Sequence, residues 1–359
     1  NVTCGVLDLD GGNLTANSST ITVNGDVLIA DVASIFTSGT STVVLNASGD
    51  LSNPNLNNAF GNVTQSNGVT TTLTGNVCFD GGTLTSGDGT STMQASGTRT
   101  MRFYNGIAAS IVNNGATWGG GGGDLTIQFD VNADPVAGNF GDCDLIYDWS
   151  AASKTMSSYL TTTGSLTIRH NGGGTQTWNT NGQTLTVGSL TLGSASDASS
   201  CGSITLAASD LDIAGDLIIY RDDGSATNGI TCTGSPSITI GGNCNLDDNA
   251  NGGSDGSTFT PATSTVTLDG SSGTQALTTG GHSLYDLTLN NSGATTQLQD
   301  ALSVGGAMLV SAGALDFNGF NITTTGNFTV NTGTSSTFVN LAGRTITVGG
   351  NCSLNGQSG

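Results

Sequence analysis

Short runs of alternating apolar and polar residues recur along the whole chain in one form. A turn residue is followed by a polar residue, an apolar one, a variable one and a second apolar one. The form is read at Gly25 (GDVLI), Gly75 (GNVCF), Arg99 (RTMRF), Gly123 (GDLTI), Gly141 (GDCDL), Gly164 (GSLTI), Gly188 (GSLTL) and Gly215 (GDLII). It continues at Gly242 (GNCNL), Ser264 (STVTL), Tyr285 (YDLTL), Gly306 (GAMLV), Gly326 (GNFTV) and Gly350 (GNCSL), and Gly49 (GDLSN) carries it without the second apolar residue. Alternation with period two predicts strands with one buried face, and no 3.6-residue pattern competes with it.

These anchors follow one another at about 23 residues, and a second strand often precedes the anchor, as in QTLTVG before Gly188 and PSITIGG before Gly242. A unit of this length with two or three short strands is one coil of a solenoid. It cannot bury its apolar face alone, but stacked coils share a continuous core. The expectation is an all-β, single-stranded parallel β-solenoid (β-helix) of about 15 coils, each of roughly 20–27 residues. Residues 1–359 are read as one continuous solenoid, with 1–24 as an N-terminal coil and 25–359 as regular coils. Gly and Asn at the corners are expected to supply the positive-φ conformations of sharp bends.

Composition narrows the function. The chain has 359 residues, 56 of them Gly, with 9% charged and 5% aromatic residues. Periodic apolar positions argue against the disorder that such usage otherwise suggests. Six Lys and Arg stand against 26 Asp and Glu, a formal charge of −20. That excludes a phosphate backbone as the natural partner, since nucleic-acid binding rests on clustered cationic side chains. No stretch of 18 apolar residues predicts a membrane span. Seven cysteines without a CxxC pair argue against a zinc site.

Ser264 to Val330, STVTLDGSSGTQALTTGGHSLYDLTLNNSGATTQLQDALSVGGAMLVSAGALDFNGFNITTTGNFTV, resembles the repeats of large bacterial and archaeal extracellular surface β-solenoid proteins, adhesin-like or filament-forming. Degenerate copies stand at Ser41 (STVVLNASG) and Ser91 (STMQASG). The resemblance implies the solenoid fold and an extracellular or cell-surface address. It implies no ligand.

Several residues are candidates for chemistry. Asp247-Asp248-Asn249-Ala250-Asn251-Gly252 matches the opening of a calcium loop, D-x-[DN]-x-[DN]-G, with Asp255 in the ninth place. Calcium held by Asp247, Asn249, Asn251 and Asp255 is the one cofactor suggested, although Thr258 stands where an EF-hand has Glu. Asp130-Val131-Asn132-Ala133-Asp134 is a weaker echo. Cys143, Cys244 and Cys352 share one place in the anchor and should point inward, and Cys78 has the outward parity. Cys201 and Cys232 fall in neighbouring coils and are the candidate disulfide. His170 and His282 have no visible partner constellation and read as solvated corners. Gly119 to Gly123 lacks the Lys-Ser/Thr of a phosphate loop and reads as a corner.

No catalytic group can be assembled, so the chain is read as a structural protein rather than an enzyme. It would be a subunit of an extracellular filament, fibre or surface layer. The alternative is an adhesin or fibre-stalk module contacting glycans or cells, and a polysaccharide-active enzyme is a remote third. The first segment NVTCGVLDLDGG and the last, RTITVGGNCSLNGQSG, both read as ordinary coils without caps. This predicts stacking onto further coils, in a homopolymer or in a longer parent chain, with Cys4 and Cys352 at similar repeat positions.

Overall fold

The computed structural model describes residues 1–29, 34–53, 59–104, 110–130, 133–148, 153–170, 174–224, 227–331, 337–339 and 341–355. Among them there is no helix, and parallel strands stack as a β-solenoid of about 13 turns. The chain divides into two compact units, Asn1–Ala152 with Met156–Leu166, and Ser153–Thr155 with Thr167–Gly359.

In the first unit, one ladder runs through Val2–Cys4, Thr20–Val23, Thr42–Leu45, Asn62–Gln65, Thr83–Thr85 and Ser110–Val112. A second ladder carries the anchors. Val77 pairs in register with Met101, Met101 with Ile127, and Ile127 with Leu145, and all four side chains are fully buried. Two residues on, at the same parity, Phe79, Phe103, Phe129 and Tyr147 form an aromatic column with centroids 4.5, 4.9 and 4.6 Å apart. Phe60 and Phe36 extend it, at 6.0 and 5.6 Å. Strand spacing of about 4.8 Å is the natural distance for offset-stacked rings, so parallel in-register pairing builds the column without strain.

In the second unit, Leu185, Leu211, Ile238, Val266, Leu287, Met308, Phe328 and Cys352 form one column, each paired in register with the next. A separate column holds Leu190, Leu217 and Cys244, and Cys244 pairs onward with Leu277. The anchors are therefore not one column. Those at Gly188, Gly215 and Gly242 lie on the second, and those from Ser264 onward lie on the first. Counting anchors only approximates the number of turns for this reason. It also corrects the shared place assigned to Cys244 and Cys352. Both faces require the same alternation, so the pattern fixes which residues point inward but not on which face.

The polar residue just before the first inward apolar residue has a definite role. Its side-chain oxygen accepts the backbone N–H of the matching residue one coil on. Asp26 accepts from Asp50 at 2.9 Å, Asn76 from Thr100 at 2.9 Å, and Asp216 from Asn243 at 2.6 Å. Asp286 accepts from Ala307 at 2.6 Å, and Asn327 from Asn351 at 2.9 Å. This clamp explains the glycine that precedes it. Gly242 and Gly306 do not have positive φ, which corrects the expectation for these corners. A Cβ on Gly242 would lie 2.4 Å from Asp216 Oδ1 and 2.5 Å from the Gly215 carbonyl carbon. One on Gly306 would lie 2.3 Å from Asp286 Oδ1. Glycine is needed there for close approach between coils.

Candidate functional site

The acidic loop read for calcium is built around Arg221. Arg221 directly follows the strand Leu217–Tyr220, and Asp247 lies in the neighbouring strand Cys244–Asp248. Asp247 Oδ2 accepts from Arg221 Nε at 2.9 Å and Nη2 at 2.7 Å, and Oδ1 accepts from the Ser257 N–H at 3.1 Å. The Asp247 side chain is only 5% exposed, so the guanidinium neutralises a buried carboxylate. Asn251 Nδ2 donates to the Arg221 carbonyl at 2.7 Å, and its Oδ1 accepts from the Gly253 N–H at 3.0 Å. Asp255 sits in an isolated antiparallel bridge with Asp222. Asp247 and Asn251 are thus drawn together on Arg221, whereas Asp255 is tied to the neighbouring Asp222 through its backbone N–H, at 3.0 Å, and Asn249 makes none of these contacts. Among the described residues no group of three or more His, Cys, Asp or Glu is placed to share a metal.

Ser257 is buried beneath the same loop. Its Oγ reaches the Leu246 carbonyl, Asp247 Oδ1 at 3.3 Å and His282 Nε2 at 3.2 Å. The carboxylate touches the serine rather than the imidazole. The order in which an acid orients a histidine that activates a serine is not formed.

Other sequence candidates fall as follows. In the weaker echo, Val131 and Asn132 lie outside the described residues, and Asp130 forms an ion pair with Arg102. The expected Cys201–Cys232 disulfide is corrected by register. Leu206, not Cys201, lies opposite Cys232, so five residues separate the two positions along the strand. That is about 17 Å, beyond any disulfide. All seven cysteines are free thiols. Cys78 has the expected outward parity but is buried, in register with Arg102, and burial raises its pKa. His170 is also buried, not solvated: it continues the inward parity of Leu166 and Ile168.

A recess that sequence reasoning did not identify lies in the first unit. It is about 370 Å³ in volume and is lined by the turn around Asn113–Trp118, by Gly138, Asn139 and Gly141, and by Tyr159. Trp118 is 2% exposed and its indole N–H has no hydrogen-bond partner, while Tyr159 is 50% exposed. Gly119 to Gly122, directly after Trp118, have φ from 75° to 83°. The signal was an aromatic residue followed at once by a glycine run. Compared with protein-family models, with curated proteins and with solved structures, the chain matches none.

Proposed function

We propose that the chain is a structural protein of an extracellular filament, fibre or surface layer, in which solenoid subunits stack end to end. The observation that carries this reading is the coil-to-coil clamp, repeated at Asp26, Asn76, Asp216, Asp286 and Asn327. A parallel stack in which coil after coil pairs edge to edge, several of them through an Asx acceptor, offers a further coil the same kind of contact. A contact between copies along that axis is heterologous and propagates, rather than closing a dimer. A small share of charged residues and abundant Gly and Thr suit the dense stacking of coils. The −20 net charge favours cations, not nucleic acid, as companions.

Negative-stain microscopy of the native material tests the reading. Filaments or a layer are expected, and isolated particles at every concentration would remove it. Immunogold labelling of intact cells tests the address, with surface label expected. The adhesin-like alternative rests on the Trp118–Tyr159 recess, which is not needed by a purely structural rod.

A further inference from the structure

We propose that the recess between the Asn113–Trp118 turn and Tyr159 binds a neutral saccharide. The site is independent of any assembly between subunits.

Its lining carries no Asp, Glu, Lys or Arg, in a chain with 26 acidic residues. An ionic ligand would find no counter-charge there. The polar side chains are the amides of Asn113 and Asn139 and the hydroxyls of Thr117 and Tyr159. Asn113 is fixed in place: its Nδ2 donates to the Asn139 carbonyl at 2.9 Å, and its Oδ1 accepts from the Gly115 N–H at 3.0 Å. Asn139 Oδ1 accepts from the Gly141 N–H at 2.9 Å, which orients that amide as well. The Trp118 ring is buried against Phe140, with centroids 5.0 Å apart, so this residue gives the recess a rigid wall.

Gly138 and Gly141 let the coils that form the recess approach closely, since a Cβ on Gly141 would run into the Trp118 carbonyl oxygen. Gly138 has φ of 106°, and a Cβ there would lie 3.1 Å from Asn113 Nδ2. Tyr159 stands half exposed at the rim, an aromatic face with nothing stacked on it. A pyranose matches this set. Its hydroxyls both donate and accept, its C–H face packs on an aromatic ring, and it carries no charge. A purely apolar ligand would offer no acceptor to the remaining side-chain N–H groups of Asn113 and Asn139. The volume is in the range of small-molecule sites, which begins at about 300 Å³.

The test is isothermal calorimetry of the whole chain with linear neutral oligosaccharides of glucose, galactose and mannose, and polygalacturonate as the charged counterpart. At least one neutral sugar is expected to bind below about 10 mM, and Tyr159→Ala to weaken it about tenfold at unchanged melting temperature. Asn139→Asp, nearly isosteric, places a charge in the recess and is expected to weaken binding as well. No heat from any neutral sugar, preference for polygalacturonate, or affinity unchanged in both variants would overturn the proposal. Tyr159-dependent self-association without sugar binding, which would make a second copy the occupant, would also overturn it.

Discussion

Asp216 Oδ1 accepts the backbone N–H of Asn243 at 2.6 Å, across one turn of the solenoid. The bond explains two residues at once, the Asx that accepts and the Gly242 that lets the coils approach. Asp216→Ala removes the acceptor and is expected to cost about 1–2 kcal/mol, whereas Asp216→Asn keeps most of the stability. Gly242→Ala should cost about 3 kcal/mol, because its Cβ meets backbone as well as the carboxylate. It should remain costly on the Asp216→Ala background, since the Gly215 carbonyl carbon is still 2.5 Å away. Urea denaturation of the four variants checks the order.

The aromatic column is the most size-sensitive part of the first unit. Phe103 is fully buried between Phe79 and Phe129, with interplanar angles of 11° and 16°. Phe103→Ala removes both stacked contacts and opens a cavity, so a loss of about 3–5 kcal/mol is expected. Phe103→Leu should lose clearly less. In the second unit, Phe328→Asp places a charge at a fully buried position and should prevent folding. Circular dichroism of this variant checks the parity directly.

Arg221 and Asp247 give a prediction opposite to the calcium loop read from sequence. Both Asp247 oxygens already have donors, so a cation would have to displace the guanidinium. Melting temperatures in excess calcium and in chelator should coincide, since a ligand of the native state would raise one over the other. Arg221→Ala leaves a buried carboxylate unpaired. The expected loss is about 2–3 kcal/mol, reduced from that of a fully buried pair because the Arg221 side chain is 36% exposed. Asp247→Asn on that background should recover part of it.

The fold was legible because period-two alternation and a coil-length repeat depend only on local residue type. Leu217, Ile219, Met308 and Val310 point inward as their parity requires. Parity does not decide which face a strand occupies. Cys244 and Cys352, alike in sequence, therefore lie on different columns. The calcium motif carries no sign of Arg221, which is 26 residues from Asp247 and is brought onto it only by the stacking of coils. The Trp118–Tyr159 recess was hidden for the same reason, being made from successive coils whose residues share no motif.

The cysteines supply the last prediction. Cys78, Cys143, Cys201, Cys232 and Cys244 are buried, whereas Cys352 is exposed and Cys4 is partly so. Burial pushes the Cys201 and Cys244 thiols up to about 12 and that of Cys232 to about 11, from an ordinary 9.0. A buried neutral thiol is a poor nucleophile, so a thiol reagent at neutral pH should label Cys352 and Cys4 and reach the other five only after denaturation. The same shifts set a pH limit. A folded pKa above the ordinary value means that the fold favours the protonated thiol. That contribution is complete below pH 9.0 and is lost progressively as pH rises towards about 12. Urea midpoints should hold up to that lower limit and fall above it. Substituting Cys244 by Val keeps an apolar side chain of similar size but removes the titrating group, and should flatten part of the decline. A midpoint that falls equally in parent and variant would assign the alkaline loss to other groups.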